Sequence, residues 1–170
     1  MIKANKDFPS RPFEKGAIQD VVVKKLGKFL DERGWLCELW RNDELSDPEY
    51  TPVMSYLSLT EPLTQRGPHE HEDQADLFCF LGPGNFKLVL WDNRPDSPTF
   101  WHKMVLFVGK DNPCSVLIPK GVVHAYKCIS QTSMGAVINL PNSLYAGENK
   151  KGPVDEVRHE EDPNTPFIVD

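Results

Sequence analysis

Two histidines and several carboxylates crowd one stretch, Arg66-Gly67-Pro68-His69-Glu70-His71-Glu72-Asp73-Gln74-Ala75-Asp76, just before an apolar run. Imidazole changes charge near neutral pH and also ligates metals, so the stretch can serve proton transfer, ion binding or substrate contact. His69 and His71 are two apart, which on an extended segment turns both rings to one side. Asp76 has the opposite parity. It joins them only if the chain turns between Glu72 and Ala75, where the polar residues permit a turn or bulge. A third imidazole arrives later, in Ile118-Pro119-Lys120-Gly121-Val122-Val123-His124, where Pro and Gly form a tight turn that sets His124 at the head of a strand. The plainer reading of His69 and His71 is a solvated polar loop.

The elements that must position these groups read as short strands. Ile18–Leu30 carries a β-branched run, Trp35–Trp40 alternates, and Val53–Leu59 is again strand-like. Asn42–Tyr50 is acidic and reads as a helical turn or a loop. Further strands are expected at Leu77–Leu81, Phe86–Trp91, Trp101–Val108, Ser115–Ile118, Val122–Ile129 and Gly135–Leu140. Turn residues separate them, as at Gly82-Pro83-Gly84-Asn85 and Asp92 to Pro98. Many short strands with frequent turns predict a sandwich or barrel. Leu77–Leu81 is apolar throughout, so both of its faces should be covered. We expect an arm over 1–16, poorly anchored unless a partner chain holds it, a barrel over 17–140 and an extension over 141–170 wrapping the surface. His102 and His159 lack a partner at ligand spacing and read as surface residues.

Composition narrows the function. A chain of 170 residues is most simply one domain that buries roughly 70% of its unfolded surface. A net charge of -6 argues against non-specific nucleic-acid binding, which needs clustered positive charge. No apolar stretch approaches the ~20 residues that span a bilayer, and Met1 to Lys15 has no apolar leader core. Cys37, Cys79, Cys114 and Cys128 show no Cys-x-x-Cys spacing and sit mostly in apolar runs, which suggests reduced thiols and a cytoplasmic protein.

His-x-His with a carboxylate five residues on, followed some fifty residues later by Pro-x-Gly-x-x-His, resembles the paired signatures of the cupin superfamily, with Asp76 where most cupins carry Glu. The resemblance implies an all-β double-stranded β-helix, the cupin jelly roll, as a single domain. A narrower likeness spans about Val21 to Asp162. Asp31-x-Arg33-Gly34 with Glu38, Arg66-Gly67-x-His69, Gln74-Ala75, Asp92-x-Arg94-x-x-Ser97-Pro98-Thr99-Phe100 and Pro119-x-Gly121-x-x-His124 are similar to dTDP-4-dehydrorhamnose 3,5-epimerase. That likeness implies a homodimer binding a nucleotide-linked 4-keto sugar in the barrel, with no organic cofactor, for polysaccharide or sugar-bearing metabolite synthesis. His69 matches the family's catalytic base and Asp162 the acid that orients it. Arg33 and Arg66 match arginines expected near the diphosphate, while Glu38, Gln74 and His124 match substrate-binding positions.

Imidazole suits that work, since deprotonating a carbon beside a ketone needs a base of near-neutral pKa. The enolate formed needs a donor or cation at its oxygen. Two positions depart from the family pattern: Asp76 stands where the epimerases carry Lys, and Val137 where they carry an acid Tyr. The substitution that removes the lysine completes a different set. His69, His71, Asp76 and His124 offer three nitrogens and one oxygen, suited to Zn, Fe, Mn or Ni. The leading expectation is a nucleotide-sugar epimerase. The alternatives are a metal-dependent cupin enzyme on another small keto or hydroxy compound, and a sugar-binding cupin without turnover.

Overall fold

The computed structural model describes residues 8–44 and 50–170. Its strands in chain order are β1 (Glu14–Lys15), β2 (Val22–Lys25), β3 (Phe29–Asp31), β4 (Gly34–Leu36), β5 (Tyr56–Thr60), β6 (Gln65–Glu70), β7 (Asp76–Phe80), β8 (Asn85–Asp92), β9 (His102–Gly109), β10 (Cys114–Ile118), β11 (Val122–Cys128), β12 (Gly135–Asn139) and β13 (Val157–Arg158). One sheet runs β1-β9-β8-β11-β6-β13, a second β2-β10-β7-β12-β5, and β3 with β4 forms a separate hairpin. This is the expected all-β jelly roll.

Strand alternation builds the core between the two large sheets. Phe78 and Phe80 of β7, Val116 and Ile118 of β10 and Val137 of β12 meet Phe86, Leu88 and Leu90 of β8 and Val122 and Tyr126 of β11. The intervening residues of β7 and β10, Leu77, Cys79 and Leu117, pack outward against Leu26, Tyr50 and Trp40. Both faces of β7 are therefore covered, as its unbroken apolar run requires. Outside the other sheet, Val89, Trp91, Val123 and Ala125 are covered by Phe8, Phe13, Trp101 and Phe167.

Several boundaries differ from expectation. The stretch read as one strand over Ile18–Leu30 breaks between β2 and β3, and Trp35–Trp40 contributes only the end of β4. Within the described residues the N-terminal arm is not loose. Phe13 stacks on Trp101 at 4.2 Å between centroids and β1 pairs in parallel with β9, because the arm supplies the apolar cover that Trp91 and Trp101 need. Residues 1–7 of that arm, and 45–49 of the acidic stretch, lie outside the described residues. The extension returns to the barrel as β13, antiparallel to β6. His159, expected at the surface, is fully buried. Its Nε2 meets Glu70 Oε1 at 2.8 Å and its ring lies 4.7 Å from that of Phe167.

Candidate active site

Cross-strand register brings the two distant motifs together. On β6 and β11, His69 lies directly opposite His124, and residues opposed in an antiparallel pair point to one face. The next pair is Arg66 with Tyr126, so β6 carries one extra residue there, a bulge at Gly67-Pro68. Gly67 fits because its φ is +76° and a Cβ would stand 2.6 Å from the His124 carbonyl oxygen. The rings of His69 and His124 are 4.4 Å apart, and each is 5.7 Å from that of His71. One nitrogen from each ring falls within 4.8 Å of the others.

Asp76, at the start of β7, joins them. Its Oδ2 lies 3.1 Å from His71 Nε2 and 3.5 Å from His124 Nε2, while Oδ1 accepts from Gln74 Nε2 (2.9 Å) and Asn139 Nδ2 (2.8 Å). The side chain is buried, so each of these contacts acts with little screening by water. Burial would depress the His71 imidazole, but the bond to Asp76, that carboxylate's charge and the Asp155 carbonyl outweigh it and carry His71 up to about 9. Burial likewise opposes ionisation of Asp76, and the His71 contact overcomes it, holding the carboxyl at about 2. His69 has no such hydrogen-bonded carboxylate among the described residues. Burial, then the neighbouring His124 and His71, push it well below its ordinary value, and burial lowers His124.

Backbone carbonyls orient two of the rings. His124 Nδ1 donates to the Val122 carbonyl at 3.1 Å and His71 Nδ1 to that of Asp155, so the Nε2 of each ring faces inward. His124 Nε2 is buried with no hydrogen-bond partner among the described residues. Two clefts open from this cluster. One of ≈ 860 Å³ is lined by His69, His71, Gln74, Tyr56 and the 141–156 segment, with Tyr145 and Lys150 on its wall. The other, of ≈ 510 Å³, holds Arg66, Arg158, Glu156 and Glu160 beside His69. Volumes of this size accommodate a small organic ligand.

The remaining expected residues are placed as follows. Gln74 lines the first cleft and Arg66 the second. Arg66 is oriented by the Leu59 carbonyl at 2.8 Å. Asp162 follows the 3-10 turn His159–Glu161, and its carboxylate accepts the Asn164 amide at 2.9 Å within its own turn. Because β13 sets Arg158 opposite His69, the acids beside His69 are Glu156 and Glu160. Arg33 pairs with Asp31 on the β3–β4 hairpin, 84% exposed, and Glu38 pairs with Arg41. Neither lines the clefts around His69 within one chain.

Val137 lies in the core, and the β12 residue that reaches the site is Asn139, two positions on. Its Nδ2 also donates to the Tyr56 hydroxyl (3.0 Å), whose pKa burial pushes up to about 12 against that bond. Tyr56 went unnoticed in the sequence. Alternation marks Tyr56 and Ser58 as one face of β5, but only the pairing of Asn139 with Tyr56 aims that face at the histidines.

The family profile described as dTDP-4-dehydrorhamnose 3,5-epimerase matches residues 15–153. The chain belongs to that family. Among curated relatives, the spore coat polysaccharide biosynthesis protein SpsL of Bacillus subtilis is 41% identical over 117 residues, covering 69% of this chain and 76% of its own. The probable low-salt glycan biosynthesis epimerase Agl13 of Haloferax volcanii is 35% identical over 133 residues, covering 78% and 83%. The fold is that of the dTDP sugar isomerase from Desulfovibrio desulfuricans G20, with a TM-score of 0.74 at 21% identity over 89% of this chain and 91% of that one. It also matches ChmJ, a 3'-monoepimerase from Streptomyces bikiniensis solved with dTDP-quinovose, with a TM-score of 0.70 at 19% identity over 92% and 83%. A nucleotide-sugar epimerase of this family therefore carries the cluster described above. Of the two positions where the family resemblance leads one to look for a lysine and a tyrosine, Asp76 joins this cluster and Val137 lies in the core.

Proposed function

We propose that the chain epimerises a dTDP-linked 4-keto-6-deoxyhexose by removing and returning a proton beside the ketone. The observation that carries this reading is His69, a half-buried imidazole held neutral at pH 7, open to both clefts and with no carboxylate hydrogen-bonded to it among the described residues. A neutral imidazole has the lone pair that a base needs. His69 takes the proton from the carbon, and the C–H electron pair moves into the enolate. Tyr56, a phenol protonated at neutral pH that lines both clefts, is suited to return a proton from another side. Arg66 and Arg158 offer bidentate donors to a diphosphate in the second cleft. The test is deuterium incorporation from D2O into a dTDP-4-keto-6-deoxyhexose. His69→Asn should abolish it, and Tyr56→Phe should allow exchange while suppressing the epimer. Exchange persisting in His69→Asn would refute the assignment.

One observation favours a second element at the same site. The His71–Asp76 pair is close to neutral overall, so it leaves the enolate charge unmatched. Asp76 Oδ2 and the Nε2 atoms of His71 and His124, 3.1 and 3.5 Å apart, have the spacing of ligands around one divalent ion, and His124 Nε2 is an orphaned buried donor or acceptor. We infer that these residues hold Zn, Fe, Mn or Ni and leave His69 as the base, since ligation would remove its lone pair. An ion held there would supply Lewis-acid polarisation of the keto oxygen. Elemental analysis after growth in supplemented medium checks it, and absence of stoichiometric metal refutes it.

The exposed β3–β4 hairpin, with Leu30 80% and Leu36 63% exposed and Arg33 at its tip, supports a homodimer in which Arg33 and Glu38 serve a neighbouring copy. Four unpaired thiols support a cytoplasmic enzyme making precursors for polysaccharide or a sugar-bearing metabolite. In this reading the barrel over 17–140 and the extension over 141–170 build one site together.

A further inference from the structure

The turn between His71 and Asp76 carries backbone groups that no sheet satisfies; Glu72 and Asp73 are exposed, while Gln74 and Ala75 are half-buried, where amides need partners. They find them in a distant segment. Asp155 Oδ1 accepts the Glu72 amide at 2.8 Å, and Oδ2 accepts those of Asp73 and Gln74, each at 2.9 Å. Asn142 Oδ1 accepts the next amide, that of Ala75, at 2.8 Å, and the Asn142 amide returns a bond to the Ala75 carbonyl at 3.2 Å. The Asp155 carbonyl also accepts a hydrogen bond from His71 Nδ1. Four consecutive amides are thus held from the two ends of the 141–156 strap, and the same strap walls the larger cleft. Converging amides form a concavity suited to an anion, and here the Asp155 carboxylate fills it with charge-assisted bonds.

The consequence is geometric. His71 and Asp76 have opposite parity, so an extended chain would send one of them out of the barrel. Only a turn of defined shape sets both against His124, and Asn142 and Asp155 define that shape. We propose that Asn142 and Asp155 are positioning residues of the active site, holding the 72–75 turn so that His71, Gln74 and Asp76 face the substrate cleft. Asp155 lies beyond the matched family segment, which ends at 153. The clamp rests on geometry alone, while its effect on turnover rests on the epimerase reading above.

Two readouts on the full chain keep those apart. Amide hydrogen exchange by NMR reports the turn directly, and steady-state deuterium incorporation into a dTDP-4-keto-6-deoxyhexose reports turnover. In Asp155→Ala the amides of 72–74 should exchange at least about tenfold faster while those of β7 and β8 keep their protection. Its kcat should fall about 10- to 100-fold, the usual loss when a partner that orients a site residue is removed. Its KM should change less than about threefold. Asn142→Ala should speed exchange at Ala75 in the same way. If Asp155→Ala does not fold, Asp155→Asn, which keeps the volume and one acceptor oxygen, should show the same pattern at smaller size. Unchanged exchange at 72–74 overturns the clamp. Faster exchange with unchanged kcat, or a rise in KM alone, overturns the positioning role. A wild-type protein that labels no 4-keto sugar refutes the epimerase reading instead, and amide exchange then still decides the clamp.

Discussion

Gly67→Ala tests the juxtaposition on which the site depends. Gly67 sits in the bulge of β6 with φ +76°, and a Cβ there would lie 2.6 Å from the His124 carbonyl oxygen, 3.0 Å from His69 Nδ1 and 3.1 Å from the His69 amide nitrogen. Two costs add. A left-handed backbone for an L-residue costs about 1–2 kcal/mol. Forcing β6 away from β11 at a packed backbone contact costs about 1–3 kcal/mol, because the obstructing carbonyl belongs to a ladder and cannot swing aside. The expected loss is about 2–5 kcal/mol in urea denaturation. Gly147→Ala isolates the first cost, since its φ is +65° and its nearest new neighbour would be 3.3 Å away, a gap that a few tenths of an ångström relieves. It should lose only about 1–2 kcal/mol. Turnover should fall further than stability alone explains, because a base misplaced by an ångström can cost about 100-fold. If Gly67→Ala is no less stable than Gly147→Ala and labels the sugar at the wild-type rate, His69 and His124 do not meet as described.

Other outcomes follow from the site. His71 is held at about 9, above its ordinary 6.5, so its contribution to stability is complete below pH 6.5 and lost as pH rises through 9. Asp76 is held at about 2, below its ordinary 3.8, so its contribution is complete above pH 3.8 and lost as pH falls through 2. In metal-free protein Asp76→Asn should therefore cost most between about pH 4 and 6.5, by about 3 kcal/mol, shrinking towards pH 10, and a pH-independent cost would refute the ion pair. Arg66→Ala should raise KM by at least about tenfold with little change in kcat, and an unchanged KM would remove Arg66 from the substrate site. His159→Ala should destabilise the chain by about 2–4 kcal/mol by opening a cavity beside Phe167 and stripping Glu70 of a buried partner, and a loss under about 1 kcal/mol in a thermal melt would contradict that packing.

The histidine site was legible because its signal is local. His69 and His71 share a face through strand alternation, and the Pro-x-Gly-x-x-His turn delivers His124 to a strand start, whatever else the chain does. The unbroken apolar run of β7 likewise announces a strand covered on both sides. Tyr56, Asn139 and the acids near His69 were not legible, because each reaches the site through a register. Counting thirteen residues beyond His124 led to Val137, whereas pairing β12 with β5 and β7 brings Asn139 to Asp76. His159 looked solitary because its partner, Glu70, is 89 residues away.

The sequence by itself determined the strand pattern, the apolar faces, the shared side of His69 and His71 and the turn that delivers His124 to a strand start, since the period of a strand is a property of each short stretch of chain. Tertiary structure alone decided which acids and phenols meet those imidazoles, and the turn that sets Asp76 beside His71. Those contacts depend on the bulge at Gly67 and on the return of Asn142 and Asp155 to the barrel mouth. Such contacts form only when distant segments bury their apolar faces together, and no local pattern encodes their register.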